Sequence, residues 1–211
     1  MRPGGGLTAL SEALLPALCV HCRAPLPGAD RGLCRGCLGA MVPFFGPQCA
    51  GCGLPLDDDG TCVHCARHPP TAAGTVIWGE YDGVLRTAIL ALKHHGHDEL
   101  ARPLGGRLAA RVAVEPWCRE VEAVSWVPSH PLRRLQRGRS AAFQLAWVVA
   151  EGLGRPMRST LRRRGWRRQA GGTRSLRLAL PRKTFAGRSS HGPRTVLLEQ
   201  RILPRDPMLW Q

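Results

Sequence analysis

The 211-residue sequence predicts an α/β fold, a parallel sheet covered by helices, preceded by a small four-cysteine zinc-ribbon module. Three observations lead there. Eight of the nine cysteines fall into four Cys-x-x-Cys pairs that end at Cys65. From Thr75 to Leu198 strand-like and helix-like stretches alternate, the pattern of a parallel sheet with both faces covered. Between these parts, "HPPTAAG" (68–74) reads as a Pro/Gly hinge.

The N-terminal stretch places Leu7, Leu10, Leu14 and Leu18 at helical spacing. Ser11, Glu12 and Pro16 interrupt it, so it reads as a short amphipathic helix and a poor signal peptide. Apolar residues make up 44% of the chain, enough for a core and too many for wholesale disorder. No apolar run reaches about 18 residues, so no membrane span is expected and a cytoplasmic location is.

The cysteine pairs are Cys19/Cys22, Cys34/Cys37, Cys49/Cys52 and Cys62/Cys65, separated by 11, 11 and 9 residues. Each pair makes a tight knuckle presenting two thiolates, and two knuckles complete a tetrahedral shell for Zn2+. A disulfide framework would need an oxidising compartment, which nothing else in the sequence supports. A thioredoxin-like role needs one such pair beside a βαβ unit, not four in a Gly/Pro-rich segment. One or two zinc sites are expected. Neighbouring knuckles can pair, or the first can pair with the third; shorter loops favour neighbours because closing them costs less entropy. A closed four-thiolate shell leaves no position for substrate, so the zinc reads as structural. His21 and His64 lie inside knuckles as exposed neighbours rather than ligands, and Cys118 reads as a small core residue.

After the hinge, "TVIWGEY" (75–81) predicts a strand. "DGVLRTAILALKHHG" follows, with apolar residues at 84, 85, 88, 89 and 92 on one helix face. "ELARPLGGRLAARVAV" is a weaker helix and "VEAVSWVP" a buried strand. "SAAFQLAWVVAEGLG" is a helix closed by glycine, and "RTVLL" a last buried strand.

Charge is unevenly placed within the net +15. Residues 1–70 hold five basic and five acidic side chains, 71–132 six and seven, and 133–211 nineteen and three. All basic residues but Lys93 and Lys183 are arginine. A basic last third attracts polyanions: nucleic acid, a nucleotide or a phosphorylated sugar. A solvated basic face is the plainer alternative.

Several stretches in this order resemble the ComF family, competence-associated proteins related to type I phosphoribosyltransferases. The four knuckles precede "YDGVLRTAILALKHHG", where Tyr81, Gly83, Arg86, Leu92, Lys93 and Gly96 match the family pattern. "VPSHPLRRLQRGRSAAFQLA" matches at Val127, Pro128, Pro131, Arg137, Gly138 and Ala142, whereas Arg139, Ser140 and Ala141 replace Phe-Asn-Gln. In the Arg-rich stretch Gln169, Arg174 and Phe185 fit.

The resemblance implies a type I phosphoribosyltransferase-like sheet over residues 71–198, after a module at 1–70, with magnesium-phosphoribosyl pyrophosphate (Mg-PRPP) as ligand. It assigns the pyrophosphate to the loop Pro128, Ser129 and His130 with Arg133, Arg134 and Arg137, and it places Lys93 among the ligand-binding residues. Arginine suits that task because its fork binds phosphate oxygens in pairs. In the family the last strand leads into two acids and a Thr-Thr-Gly loop that hold the ribose and the 5-phosphate. Here Leu198 is followed by Glu199-Gln200-Arg201-Ile202-Leu203-Pro204, without Asp-Asp, Thr or Gly. Against the family pattern the fold is C-terminally truncated, with residues 199–211 an aberrant tail. Impaired catalysis, an exposed sheet edge and marginal stability are then expected. The family's association with DNA uptake suggests single-stranded DNA or DNA-uptake proteins as partners, with the Arg-rich third or the zinc module as the contact.

Overall fold

The computed structural model describes residues 16–27, 31–70, 72–129, 140–164, 184–187 and 194–198. The N-terminal amphipathic stretch up to residue 15, His130–Arg139 and the tail after Leu198 lie outside the described residues. Two compact units divide the chain at Pro103/Leu104. None of the described helices is long and apolar enough to cross a membrane.

The first unit holds two short helices, α1 (Arg35–Ala40) and α2 (Val63–Arg67), each beginning at a cysteine knuckle. A longer helix, α3 (Gly83–His94), follows, and a 3-10 turn over Asp98–Leu100 precedes α4 (Ala101–Ala113), which belongs to the second unit from Leu104 onward. α3 buries Leu85, Ala88, Ala91 and Leu92; of the expected face Leu85, Ala88 and Leu92 are buried, Val84 and Ile89 are half-buried, and Ala91 joins them. Gly32 lies so close beneath Leu100 that a Cβ on it would stand 2.7 Å from Leu100 Cδ2.

The segment 75–81 is not the strand its β-branched and aromatic residues suggest. No strand forms there, and its hydrogen-bond partners are loops of the cysteine module. Phe44 N–H donates to the Trp78 carbonyl at 2.8 Å, Thr75 N–H to that of Ala50 at 2.9 Å, and Gln48 Nε2 to that of Ile77 at 3.3 Å. Local β propensity favours extended backbone; it does not choose the partner.

The second unit is built on β1 (Ala123–Trp126), whose first three residues are fully buried as a strand inside a sheet should be. β4 (Thr195–Leu198) pairs with it in parallel, Ala123 opposite Thr195 and Trp126 opposite Leu198. On the other side Val124 bridges to Met157 in parallel, with Val124 N–H donating to the Pro156 carbonyl at 3.0 Å and Arg158 N–H to that of Val124 at 2.9 Å. Buried Ser125 accepts from the Thr160 hydroxyl at 2.8 Å. α5 (Ala141–Leu153) packs on β1, and Val124, Ala146, Val149, Ala150 and Leu198 close a core with Ala109 of α4.

Both ends of α5 follow from sequence. Ser140 Oγ accepts from Phe143 N–H at 3.2 Å, capping the first turn. Gly154 takes the left-handed conformation (φ 61°, ψ 33°), while Arg155 N–H reaches the Ala150 carbonyl and Gly154 N–H that of Glu151. α4 approaches α5 at Gly105, where a Cβ would lie 2.7 Å from Val148 Cβ.

A separate antiparallel pair joins β2 (Leu161–Arg163) to β3 (Phe185–Gly187), a pairing absent from the sequence-based expectation. Cys118, expected in the core, is half-buried in a 3-10 turn over Pro116–Glu120.

Candidate metal centre

The first knuckle of each ribbon is built the same way. Leu18 bridges Pro25, Cys19 N–H donates to the Ala24 carbonyl at 2.8 Å, and Arg23 N–H returns to that of Cys19 at 3.0 Å. In the second ribbon Gln48 bridges Pro55, Cys49 N–H donates to Leu54 at 2.8 Å, and Gly53 N–H returns to Cys49 at 2.7 Å. The outer rung repeats as well, Leu26 to Ala17 and Leu56 to Pro47. Each knuckle turns through a positive φ on the residue after its second cysteine, 64° at Arg23 and 74° at Gly53.

The second knuckle of each ribbon starts a helix. Cys34 caps α1, its Sγ accepting from Cys37 N–H at 3.4 Å, and Cys62 precedes α2. Neighbouring knuckles therefore meet. The sulfurs of Cys19, Cys22, Cys34 and Cys37 form one cluster and those of Cys49, Cys52, Cys62 and Cys65 another, each within 4.8 Å. Sulfurs lie 3.7 Å apart in Cys22/Cys34, 3.6 Å in Cys49/Cys65 and 3.5 Å in Cys52/Cys62. Four thiolates about 2.3 Å from one zinc ion stand about 3.8 Å apart at the edges of a tetrahedron, close to these three separations, so both donor sets suit the metal.

The electrostatics support the same donor set. Burial acts to raise the Cys19 thiol, but the N–H groups of Cys34, Cys22 and His21 outweigh it and lower it to about 6. At Cys49 the N–H of Cys52 leads, burial opposes it, and Gly51 N–H assists, giving about 7. Burial, then the crowding of Cys34, Cys22 and Cys19, pushes Cys37 up to about 12. Burial likewise raises Cys52, and burial with the neighbouring sulfurs raises Cys65. Each cluster thus prepares one thiolate, Cys19 or Cys49, beside thiols held up by burial, Cys37 in the first and Cys52 and Cys65 in the second, which a cation must help to deprotonate.

The two knuckle histidines differ. His21 is exposed, with Nδ1 3.1 Å from Thr87 Oγ1 on α3. His64 is half-buried rather than exposed, its ring 5.5 Å from that of His68. Neither joins a sulfur cluster.

The residues expected to hold a phosphorylated ligand are only partly described. Lys93 sits in the last turn of α3 in the first unit, its pKa lowered by burial. Pro128 and Ser129 follow β1 in the second unit, half-buried. His130, Arg133, Arg134 and Arg137 lie outside the described residues.

Fold and site define a double zinc ribbon attached to a mixed helix and strand unit with a small parallel sheet. The double zinc ribbon domain family matches residues 10–66. Competence protein F of Haemophilus influenzae is 30% identical over 142 residues, which is 65% of this chain and 61% of that protein. The chain is similar to Competence protein F over that stretch, and it spans about three fifths of the length of that relative. No solved structure matches it.

Proposed function

We propose that the protein is a zinc-stapled ComF-like protein acting in DNA uptake, with a phosphoribosyltransferase-type α/β part and little or no transferase activity. The observation that carries the reading is the pairing of two closed four-sulfur clusters with the parallel β1–β4 sheet in one chain. All eight knuckle cysteines are zinc ligands in this reading, and the metal is structural because four thiolates fill its shell. The likeness to Competence protein F supports the competence role.

Low activity follows from the residues directly after β4. Glu199-Gln200-Arg201 offers one carboxylate and no run of Thr/Gly amides for a phosphate. Pro128, Ser129, His130, Lys93 and the arginines 133, 134 and 137 could hold at most the pyrophosphate end. Calorimetric titration of the zinc-loaded protein with Mg-PRPP tests this. No saturable heat at millimolar ligand is expected, and micromolar binding would refute it.

A second reading is favoured by one feature of the second unit. Arg155, Arg158, Arg162 and Arg164 are exposed, and Glu151 is the one acid between 140 and 164. This strip suits single-stranded nucleic acid, bound without sequence preference and weakening steeply with salt. Fluorescence anisotropy with a labelled oligonucleotide decides it: undetectable or salt-insensitive binding removes the reading.

A further inference from the structure

The two sulfur clusters differ in solvent access, and the difference singles out one thiolate. In the second cluster Cys52 is buried and Cys49, Cys62 and Cys65 are half-buried. In the first, Cys19 and Cys37 are buried, Cys34 is half-buried, and Cys22 is exposed. Cys22 Sγ lies 3.7 Å from Cys34 Sγ, already near a disulfide partner, against a bonded length of about 2.05 Å. The sulfur pairs of the second ribbon are equally close, but none includes an exposed member. Proximity is common to both ribbons; access belongs to the first.

We propose that Cys22 is an oxidation site for peroxides, and that a Cys22–Cys34 disulfide opens the first ribbon and releases its zinc while the second ribbon keeps its own. The inference rests on the reading of both clusters as zinc sites. In the first step the Cys22 thiolate attacks one oxygen of hydrogen peroxide. The O–O bond breaks, hydroxide leaves, and Cys22 becomes a sulfenic acid. The Cys34 thiolate then attacks the Cys22 sulfur, forming the S–S bond and displacing a second hydroxide. Two thiolates give up two electrons in total, and the peroxide ends as two waters after taking two protons from solvent. Only Cys19 and Cys37 would then remain as donors, too few to hold a zinc ion.

The consequence reaches α3 within the same unit. His21 sits between Cys19 and Cys22 in the knuckle that would open. Thr87 Oγ1 donates to the Gly83 carbonyl at 3.1 Å, so toward His21 it accepts, which places the proton on Nδ1. Cys34 is the cap of α1, which packs against α3. Oxidation at Cys22 and Cys34 therefore disturbs both supports of α3 together, leaving untouched the second ribbon's own hydrogen bonds to Thr75 and Ile77.

The test uses the full chain loaded with zinc and assayed for metal content first. Two zinc ions per chain are expected; fewer would overturn the zinc reading and this inference with it. Hydrogen peroxide is then added with a chromophoric chelator, and disulfides are mapped by peptide mass spectrometry. One zinc should leave at least about tenfold faster than the other, with Cys22–Cys34 the disulfide formed at that stage. Equal release rates, or a first disulfide within the second ribbon, would overturn the inference and leave the zinc reading standing. Cys22→His keeps a zinc-binding side chain and removes the oxidisable one. It should abolish the fast phase, and an unchanged fast phase would overturn the inference. Mapping of the unsubstituted protein decides the matter if that variant does not fold.

Discussion

Arg23 and Gly53 occupy the same position in two copies of one turn, with φ of 64° and 74°, and only one of them is glycine. Each donates its N–H back to the first cysteine of its knuckle. The left-handed conformation costs a residue with a Cβ about 1–2 kcal/mol and glycine nothing. Arg23→Gly should therefore stabilise the zinc-loaded protein by up to about 1 kcal/mol, part of the gain being returned through the unfolded chain's entropy. Gly53→Arg should do the opposite and cost more, because a Cβ at Gly53 would meet Ile77 Cγ1 at 2.9 Å. Denaturant unfolding of the two variants checks the pair. A neutral or destabilising Arg23→Gly would sink the argument from strain.

Adjacent glycines in α4 should respond with opposite signs. Gly105 faces α5, and its added Cβ would lie 2.7 Å from Val148 Cβ and 2.9 Å from Cγ1. Gly106 is exposed and would meet nothing within 4 Å. Alanine at 106 gains helix propensity, about 0.5–1 kcal/mol. Alanine at 105 gains the same propensity but overpacks the α4–α5 contact, at a typical cost of about 1–3 kcal/mol. Thermal melts of G105A and G106A should bracket the parent; if both rise, the helices are not held as close as described.

These two cases mark where sequence reading succeeds and where it stops. The helices at Gly83–His94 and Ala141–Leu153 and the strands at Ala123–Trp126 and Thr195–Leu198 are legible because one periodic or apolar face writes each of them. The knuckles are legible because metal chemistry fixes both residue type and spacing. The β2–β3 pair is not. In Arg162-Arg163-Arg164 the strand's two-residue alternation is hidden, since all three side chains are arginine. Yet Arg163 lies with its guanidinium 5.9 Å from the Phe185 ring centroid, while Arg162 and Arg164 are exposed. For Thr75–Tyr81 the β-rich composition predicts a strand that does not form, because its hydrogen-bond partners are loops of the cysteine module without strand character.

Removing zinc should unfold more than the ribbons. Thr75 and Trp78 are held by the backbone of the cysteine module and Ile77 by its Gln48 side chain, His21 holds Thr87, and Gly32 lies under Leu100. With a chelator, amide hydrogen exchange should accelerate across Gly83–His94 as well as across the knuckles. Protection of α5 should change least, since its core partners Ala109, Val124 and Leu198 all lie in the second unit. Retained protection of α3 in the chelated protein would show that it folds without the ribbons.

Proton release on zinc uptake should depend on pH in a defined direction. Cys19 and Cys49 have folded values lowered from 9.0 to about 6 and about 7. For an acid with a lowered folded value, the stabilisation is complete above the unfolded value and is lost as pH falls through the folded one. In the metal-free fold both are therefore thiolates at pH 8 and give no proton when zinc arrives. Cys37, held up near 12, and Cys52 and Cys65, raised by burial, must lose theirs. Below about pH 6 Cys19 and Cys49 carry protons too, and zinc must displace them. Uptake at pH 5.5 should thus release about one proton more per cluster than uptake at pH 8, and zinc affinity should fall steeply across that interval. A pH-stat titration with zinc at the two values measures the difference directly. Equal release at both would mean that the backbone N–H groups around Cys19 and Cys49 do not hold their thiolates in the metal-free protein.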